Sequence, residues 1–312
     1  MPTDVLNCLL DGDPAIRWQL LRDLTDASPG EVQAERDRVA TEGWGARLLA
    51  LQGMDGQWAG GTYWPGNDDD PDSQPWTATT YSLLLLRDFG LNPSSHEARH
   101  AIESVRDNSR WEEGNQPFFE GEVEPCINGM VVALGAYFGE IVEQVVERLT
   151  REQLADGGWN CEAERGSARS SFHTTICVLE GLLEHERATG GTPESRKARH
   201  RGEEYLLERG LLRQKSTGEL ISRDWLQFSY PTRWFFDVLR GLDYFRTAGG
   251  IPDQRLEEAI EVVKSKEQPD GRWLLENTHP GSVHFAMEDG DGQPSRWNTL
   301  RALRVLRWYQ SG

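Results

Sequence analysis

The sequence lacks the features that mark membrane proteins and disulfide-stapled secreted proteins. It has no apolar run near the roughly 18 residues that a membrane-spanning helix needs, and Met1 to Leu10 shows neither a basic region nor a cleavable apolar core. Its four cysteines, at positions 8, 126, 161 and 177, are too few in 312 residues for a disulfide framework. We therefore expect a cytoplasmic protein whose cysteines are core residues, metal ligands or a reactive thiol.

Positive charge is also scarce. The chain has 33 Lys and Arg against 51 Asp and Glu, a formal net charge of −18, and a mean hydropathy of −0.62. Such a surface repels phosphate backbones and anionic lipid headgroups unless a local basic patch exists, and we identify none. We therefore expect no nucleic acid and no membrane among the partners.

Tryptophan, by contrast, is abundant. The chain has 12 of them, about three times the usual share, and three recur in one pattern of Gln, Asp-Gly and Trp. The copies are Gln52 to Trp58, Gln153 to Trp159 and Gln268 to Trp273. Asp and Gly tolerate the dihedrals of a tight turn, and an indole buries a large apolar surface. Each copy therefore predicts a helix ending near the Gln, a chain reversal, and an indole packed against helix ends.

A second series of motifs begins helices that are rich in apolar and small residues. These starts lie at Trp18, Trp76, Cys126, Phe172, Trp234 and Trp297, and from Trp76 onward they are 46 to 63 residues apart. Between them lie charged, amphipathic segments at residues 31–51, 95–105, 141–154, 196–209 and 255–263. That spacing fits a repeating pair of one covered helix and one amphipathic helix.

Together the two series predict an all-α fold, an (α/α)6 toroid with an inner and an outer ring of helices. We expect a single domain over residues 1–312. An open solenoid of helical pairs is the alternative, but the similarity of the last helix to the first favours closure.

The Gln, Asp-Gly, Trp turns resemble the repeats of squalene-hopene cyclases and of protein prenyltransferase β-subunits, over about residues 52–308. The resemblance implies an α/α barrel with a funnel at the end where the inner helices begin. Because several unrelated activities share this scaffold, the turns indicate the fold rather than the reaction.

One group of residues is expected to meet at the mouth of such a funnel. Glu124 and Cys126 begin the third inner helix, Cys161 follows a turn Trp, and His173 begins the fourth inner helix. Thiolate and imidazole are ligands that zinc prefers, and a helix N-terminus favours thiolate. We therefore predict that Cys126, Cys161 and His173 bind zinc, with Glu124 as a fourth ligand or as a catalytic group.

Two short segments carry this part of the resemblance further. Phe172-His173-Thr174 is similar to the prenyltransferase segment that holds the zinc histidine, and Glu124-x-Cys126 is similar to the Asp-x-Cys ligand pair, with Glu in place of Asp. Lanthionine cyclases, on a similar toroid, also use a Cys, Cys, His zinc site. A metal-free polar pocket and a plain core position are the alternatives for these residues, whereas Cys8 and Cys177 are assigned to the core.

The acid-rich loop from Asn67 to Asp72 matches the Asp-Asp-x-x-Asp pattern that binds magnesium diphosphate in class I terpene synthases. That pattern works on a helix, and Pro71 argues against a helix here. We therefore favour a solvated loop and expect magnesium less than zinc. The Asp-x-Asp-Asp acid of class II cyclases is absent from this loop, so squalene cyclisation is not expected.

Further residues are placed in the funnel because they begin inner helices. Arg233 and Arg296 could bind an anionic head group, with Asp237 a turn below Arg233 as a catalytic group; an architectural role for the arginines is the alternative. The predicted substrate-binding residues are Trp76, Tyr81, Asn128, Trp234, Arg296 and Trp297, and the predicted catalytic residues are Glu124, Arg233 and Asp237.

Three functions remain open at this point. The first is a terpenoid cyclase or prenyltransferase-like enzyme acting on an apolar, isoprenoid-like ligand in an aromatic-lined funnel, with Cys- and His-bound zinc. The second is a non-catalytic toroid that binds a lipid or a protein. The third, a carbohydrate-active (α/α)6 enzyme, needs two carboxylates across a cleft.

Overall fold

The computed structural model describes residues 3–66 and 74–311. Their helices are α1 (Thr3–Leu10), α2 (Pro14–Leu24), α3 (Pro29–Asp37), α4 (Gly43–Leu49), α5 (Thr79–Phe89), α6 (His96–Asn108), α7 (Pro125–Phe138), α8 (Glu143–Arg151), α9 (Phe172–Thr189), α10 (Pro193–Leu207), α11 (Val238–Ala248), α12 (Glu257–Ser265) and α13 (Arg296–Gln310). Two antiparallel two-residue strands, β1 (Trp273–Leu274) and β2 (Pro294–Ser295), make the single sheet of these described residues. The prediction of an all-α chain is confirmed. None of the helices in these two ranges combines the length and the apolarity that crossing a membrane requires.

The contacts within the chain define two compact units. The first consists of Met1–Val39, Leu206–His279 and Phe285–Gly312, and the second of Ala40–Tyr205 with Pro280–His284. Helices α1–α3 and α11–α13 lie in the first unit, and helices α4–α9 in the second with most of α10. The expected single domain over residues 1–312 stays a prediction.

The three Gln, Asp-Gly, Trp turns form as the sequence predicts. Helices α4, α8 and α12 end shortly before the Gln, and the turn glycines take left-handed φ angles of 77°, 103° and 78° at Gly56, Gly157 and Gly271. The three indoles are almost fully buried. Each indole nitrogen donates to a carbonyl of the preceding helix, at 2.8 Å from Trp58 to Leu48, 2.7 Å from Trp159 to Leu149 and 2.8 Å from Trp273 to Val263.

Each turn is also tied to the helix that follows it. The backbone N–H groups of Trp58, Trp159 and Trp273 donate to the hydroxyls of Thr79, Thr175 and Thr299, at 3.1, 3.1 and 3.0 Å. All three threonines are buried in the first turns of α5, α9 and α13. The repeat therefore fixes where each covered helix begins relative to the turn before it.

In the second unit, α7 and α9 pack in backbone contact. A Cβ atom added at Gly129 would lie 2.5 Å from the Cys177 carbonyl oxygen, and one added at Gly181 would lie 2.3 Å from the Gly129 carbonyl oxygen. The close approach therefore requires glycine at both positions. Gly129 faces Cys177, and Gly181, four residues further along α9, also faces Val132. Residue numbers therefore rise together along the contact, so the two helices run parallel and their N-termini lie at the same end.

In the first unit, the last helix packs against the second. Arg304 of α13 donates to the Gln19 side chain of α2 at 2.6 Å and pairs with Asp23 at 3.2 Å. The same guanidinium reaches Asp243 of α11 at 3.3 Å. The contacts of Arg304 therefore join α13 to α2, two helices of similar sequence from opposite ends of the chain, and also join α13 to α11.

Some predicted helix boundaries are wrong. The start expected at Trp234 is delayed to Val238, because the preceding residues are irregular and the Asp237 side chain caps the helix. Trp76 lies in a 3-10 turn before α5 rather than in the helix. The amphipathic segment expected over residues 31–51 is two helices, α3 and α4, separated by a 3-10 turn and two further residues.

Helix α10 carries a group of basic residues on one open face. Arg196, Lys197, His200 and Arg201 lie there beside Glu204. Arg196 donates to the Gly190 carbonyl oxygen, and Arg201 donates to the Gln153 side chain at 2.8 Å. The two arginines of this face therefore stabilise neighbouring loops of the same unit.

Candidate metal centre

Two thiols and a carboxylate meet where α7 and α9 begin. The sulfur atoms of Cys126 and Cys161 are 2.8 Å apart, and the Cys126 sulfur is 3.5 Å from a carboxylate oxygen of Glu124. One ligand atom from each of the three residues lies within 4.8 Å of the others. Of the four residues expected at the mouth of the funnel, the structure thus brings together Glu124, Cys126 and Cys161, and zinc binding by them stays a prediction.

Local structure explains the position of each group. Cys126 is the second residue of α7, whereas Cys161 begins a short 3-10 segment, Cys161–Arg165, that Asn160 caps. The sulfur of Cys161 is 3.4 Å from the hydroxyl of Thr174 in the first turn of α9. The packing of α7 beside α9 therefore brings the two sulfurs together across 35 residues of chain.

Asn128 and Arg148 hold the loop that carries Glu124. The buried amide of Asn128 exchanges two hydrogen bonds of 2.7 Å with the backbone N–H and carbonyl of Glu122. Arg148 of α8 donates to the carbonyl oxygens of Glu122 and Val123 at 2.7 and 2.9 Å. The structure thus gives Asn128, a predicted substrate-binding residue, a positioning contact beneath the donor set.

The two thiols have opposite pKa shifts. A hydrogen bond with Cys161, followed by burial, raises the pKa of Cys126. Hydrogen bonds with Cys126 and with Thr174, which burial opposes, lower the pKa of Cys161. Cys161 is therefore the member of the pair that ionises first, and the neighbouring thiol stabilises its negative charge.

His173 does not belong to the donor set among the described residues. It is the second residue of α9, half-buried, and the group of close ligand atoms consists of Glu124, Cys126 and Cys161. The residue of that helix turn that contacts the Cys161 sulfur is Thr174. Zinc binding by His173 stays a prediction.

An aromatic group lies within electrostatic reach of the donor set. The hydroxyls of Tyr63 and Tyr81 are 3.1 Å apart, and the ring of Tyr81 packs edge-on against Trp76 with centroids 4.9 Å apart. Burial raises the pKa of Tyr63, and negative charge on Cys126 and Glu124 raises it further, while the hydrogen bond with Tyr81 opposes the shift. The Tyr63 hydroxyl is therefore neutral over the physiological range.

The predicted substrate-binding residues Trp76 and Tyr81 are each only 1% exposed. The indole nitrogen of Trp76 donates to the Pro280 carbonyl oxygen at 2.7 Å. The more open aromatic surface belongs to two residues that the sequence did not single out, half-buried Tyr63 and Trp64, which is 49% exposed.

A single carboxylate orients the loop that presents these two aromatics. One oxygen of Glu112 accepts the backbone N–H groups of Thr62, Tyr63 and Trp64, at 2.8, 2.9 and 3.2 Å. Successive N–H groups that converge in this way form a nest that favours a negative charge. Glu112 is thus a positioning residue for Tyr63 and Trp64.

Replacing Glu112 with Ala should release this loop. Hydrogen bonds to a charged group contribute about 1.5–3 kcal/mol, so we expect the Tyr63 and Trp64 amides to exchange with solvent about ten- to a hundredfold faster. Hydrogen exchange followed by mass spectrometry measures this, and Glu113→Ala, an exposed neighbour, serves as the matched control. Equal exchange in both variants would show that Glu112 does not hold the loop.

The remaining predicted site residues lie in the first unit. Asp237 caps α11, accepting the Arg240 N–H at 2.7 Å and the Ser229 hydroxyl at 3.0 Å. Arg233 is buried, with a left-handed φ of 56°. These contacts give Asp237 a structural task, and the catalytic roles of Asp237 and Arg233 stay predictions.

Three further predicted substrate-binding residues also have neighbours within that unit. Trp234 stacks on Phe235 with ring centroids 3.8 Å apart, and buried Trp297 stacks on Tyr230 at 4.3 Å. Arg296 donates to the Cys8 carbonyl oxygen at 3.1 Å, which fits its architectural alternative. The acid-rich loop from Asp68 to Asp72 lies outside the described residues.

Comparison with known proteins gives structural matches only. No family model matches the chain, and no curated protein matches it in sequence. Among solved structures, it is similar to a protein from Actinoplanes, with a TM-score of 0.45 and 16% identity over 95% of this chain and 89% of that one. It is also similar to a variant of the type II terpene cyclase MstE from Scytonema, solved with its substrate geranylgeranyl dihydroxybenzoate, with a TM-score of 0.43 and 15% identity over 96% of this chain and 86% of that one.

Proposed function

We propose that the chain is a zinc-dependent enzyme of the terpenoid cyclase and prenyltransferase type that acts on an apolar, isoprenoid-like substrate. The observation that carries the proposal is the convergence of Glu124, Cys126 and Cys161, whose ligand atoms lie within 4.8 Å of one another. Half-buried Tyr63, whose pKa is raised in part by the charge of Cys126, offers aromatic surface near the donor set and supports the choice of an apolar substrate.

The donor set suits zinc in ligand type and number. Two thiolates and one carboxylate would leave a fourth position open, as catalytic zinc sites do. Two sulfurs bound to one tetrahedral zinc are about 3.8 Å apart, since each Zn–S bond is about 2.3 Å. Cys126 and Cys161, now 2.8 Å apart, would therefore separate by about 1 Å.

Electrostatics favours a cation at the same place. After a hydrogen bond with Cys161 and burial, the negative charges of Cys161, Cys177 and Glu124 raise the pKa of Cys126 further. Ionising both thiols beside Glu124 would concentrate negative charge in a half-buried site. A divalent cation offsets this repulsion and favours the ligating thiolates.

The roles of the chain's own residues follow from these positions. Zinc would supply Lewis-acid chemistry toward a thiol, a water molecule or a diphosphate. Tyr63 and Trp64 would offer aromatic surface to an isoprenoid chain or to positive charge that develops along it. Glu112 would hold the loop that presents Tyr63 and Trp64, and Asn128 and Arg148 would hold the loop that carries Glu124.

The metal content of protein purified without added metal tests this proposal. We expect about one zinc per chain, lost in Cys126→Ser and in Cys161→Ser. Cys8→Ser is the matched control, because Cys8 is half-buried like the two ligands but lies outside the donor set. Circular dichroism of each variant separates loss of metal from loss of fold.

A turnover assay tests the enzymatic part separately. The zinc-loaded protein is incubated with farnesyl diphosphate, and released inorganic diphosphate and isoprenoid products are measured, with Cys161→Ser as the inactive reference. Wild-type protein that contains no zinc and gains none on addition would contradict the metal proposal. Zinc-loaded protein without turnover on isoprenoid substrates would favour a non-catalytic module that binds a lipid.

A further inference from the structure

The two sulfurs of the donor set are closer together than metal ligands need to be. Their separation of 2.8 Å lies between the roughly 2.05 Å of a disulfide bond and the roughly 3.8 Å of two zinc-bound sulfurs. Both cysteines are free thiols. A small movement in one direction brings the sulfurs to the distance at which an oxidant can join them, and a similar movement in the other direction makes room for a metal ion.

We propose that Cys126 and Cys161 form a reversible disulfide when the site is oxidised by a peroxide, and that this state excludes zinc. The inference rests on the proposed zinc site for its second part only. A disulfide consumes both sulfur ligands, so the same pair cannot hold the metal and the bond at once. Oxidation would then switch the proposed enzyme off.

The reaction balances with the peroxide as its oxidant. One thiol attacks a peroxide oxygen, the O–O bond breaks, and a sulfenic acid and one water molecule form. The second thiol then attacks the sulfenic sulfur, the S–O bond breaks, and a second water molecule leaves. In total, two thiols and one hydrogen peroxide give one disulfide and two waters, and an external dithiol reverses the change by thiol–disulfide exchange.

The surroundings of the pair permit both chemistry and movement. Cys126 and Cys161 are half-buried, so a molecule as small as hydrogen peroxide can reach them, whereas Cys177 is 1% exposed. Cys161 begins a 3-10 segment in the loop between α8 and α9. Cys126 lies in the first turn of α7, so the pair joins a loop residue to a helix residue.

The test uses the whole chain after treatment with a chelator. We expect hydrogen peroxide to remove two titratable thiols, and peptide mapping without reductant to show one Cys126–Cys161 cross-link that dithiothreitol reverses. Cys8→Ala/Cys177→Ala should form the same cross-link, whereas Cys161→Ser should not. Wild-type mapping gives the answer even if a variant fails to fold.

Different results separate the two proposals. Independent oxidation of the thiols to sulfinic acids, or a cross-link to Cys177 instead, would overturn the disulfide. Zinc added before peroxide should protect the pair by at least tenfold in rate. A cross-link that forms equally fast with zinc present would leave the disulfide intact but contradict its competition with zinc, and with it the proposed metal site.

Discussion

Replacing Asp243 with Asn should lower the free energy of unfolding by about 3–5 kcal/mol, because it leaves buried guanidinium groups without their counter-charge. The Asp243 carboxylate is 2.7 Å from Arg246, 3.3 Å from Arg304 and 3.6 Å from Arg301. Arg301 and Arg304 are each 6% exposed. In the variant, Arg304 would keep its ion pair with Asp23, at 3.2 Å.

Chemical denaturation of wild type and variant measures this loss. Glu258→Gln is the control, since its ion pair with Arg213 is exposed and should contribute little to stability. A loss for Asp243→Asn as small as that of the control would mean that the buried pairs do not hold α11 against α13.

The same carboxylate makes stability depend on pH. Burial opposes ionisation of Asp243, but the charges of Arg246, Arg304 and Arg301 outweigh burial and lower its pKa well below the ordinary value. At a pH between the lowered and the ordinary pKa, the unfolded state binds more protons than the folded state. The stabilisation from Asp243 is therefore complete above the ordinary carboxyl pKa, and it is lost progressively as the pH falls from there through the lowered pKa of the folded state.

Trp159→Ala should cost about 3–5 kcal/mol of stability, because the indole is fully buried and its removal leaves a large cavity. Trp159→Phe should cost about 1–3 kcal/mol, since the Leu149 carbonyl loses its 2.7 Å hydrogen bond while most of the apolar contact remains. Thermal and denaturant unfolding measure both.

Trp64→Ala provides the matched control for that series, because Trp64 is 49% exposed and should change stability little. If Trp159→Ala were no more destabilising than Trp64→Ala, the turn tryptophans would not be the element that ties each helix to the next. The same order of effects is expected at Trp58 and Trp273.

The turns could be predicted from the sequence because all the residues of the Gln, Asp-Gly, Trp pattern lie close together in the chain. Gln153, the Asp-Gly pair and Trp159 lie within seven residues, and the structure places each as expected. The threonines that bind the turn backbone were missed. They follow Trp58, Trp159 and Trp273 by 21, 16 and 26 residues, so no fixed spacing reveals them.

Only the part of the candidate site that lies at the starts of α7 and α9 could be predicted from the sequence. Cys126 and Cys161 were expected to meet because α7 and α9 begin side by side, and they do. Tyr63 and Glu112 could not be found, since an irregular loop and a contact across 49 residues bring them together. His173 matched a motif, but the close ligand atoms among the described residues are those of Glu124, Cys126 and Cys161.

The most direct test of the zinc site is the location of the metal itself. Crystals grown with zinc and measured at the zinc absorption edge should show an anomalous peak about 2.3 Å from the sulfurs of Cys126 and Cys161 and about 2.0–2.2 Å from a Glu124 oxygen. An anomalous peak at other residues only, with the two sulfurs still in contact and no metal between them, would contradict the account.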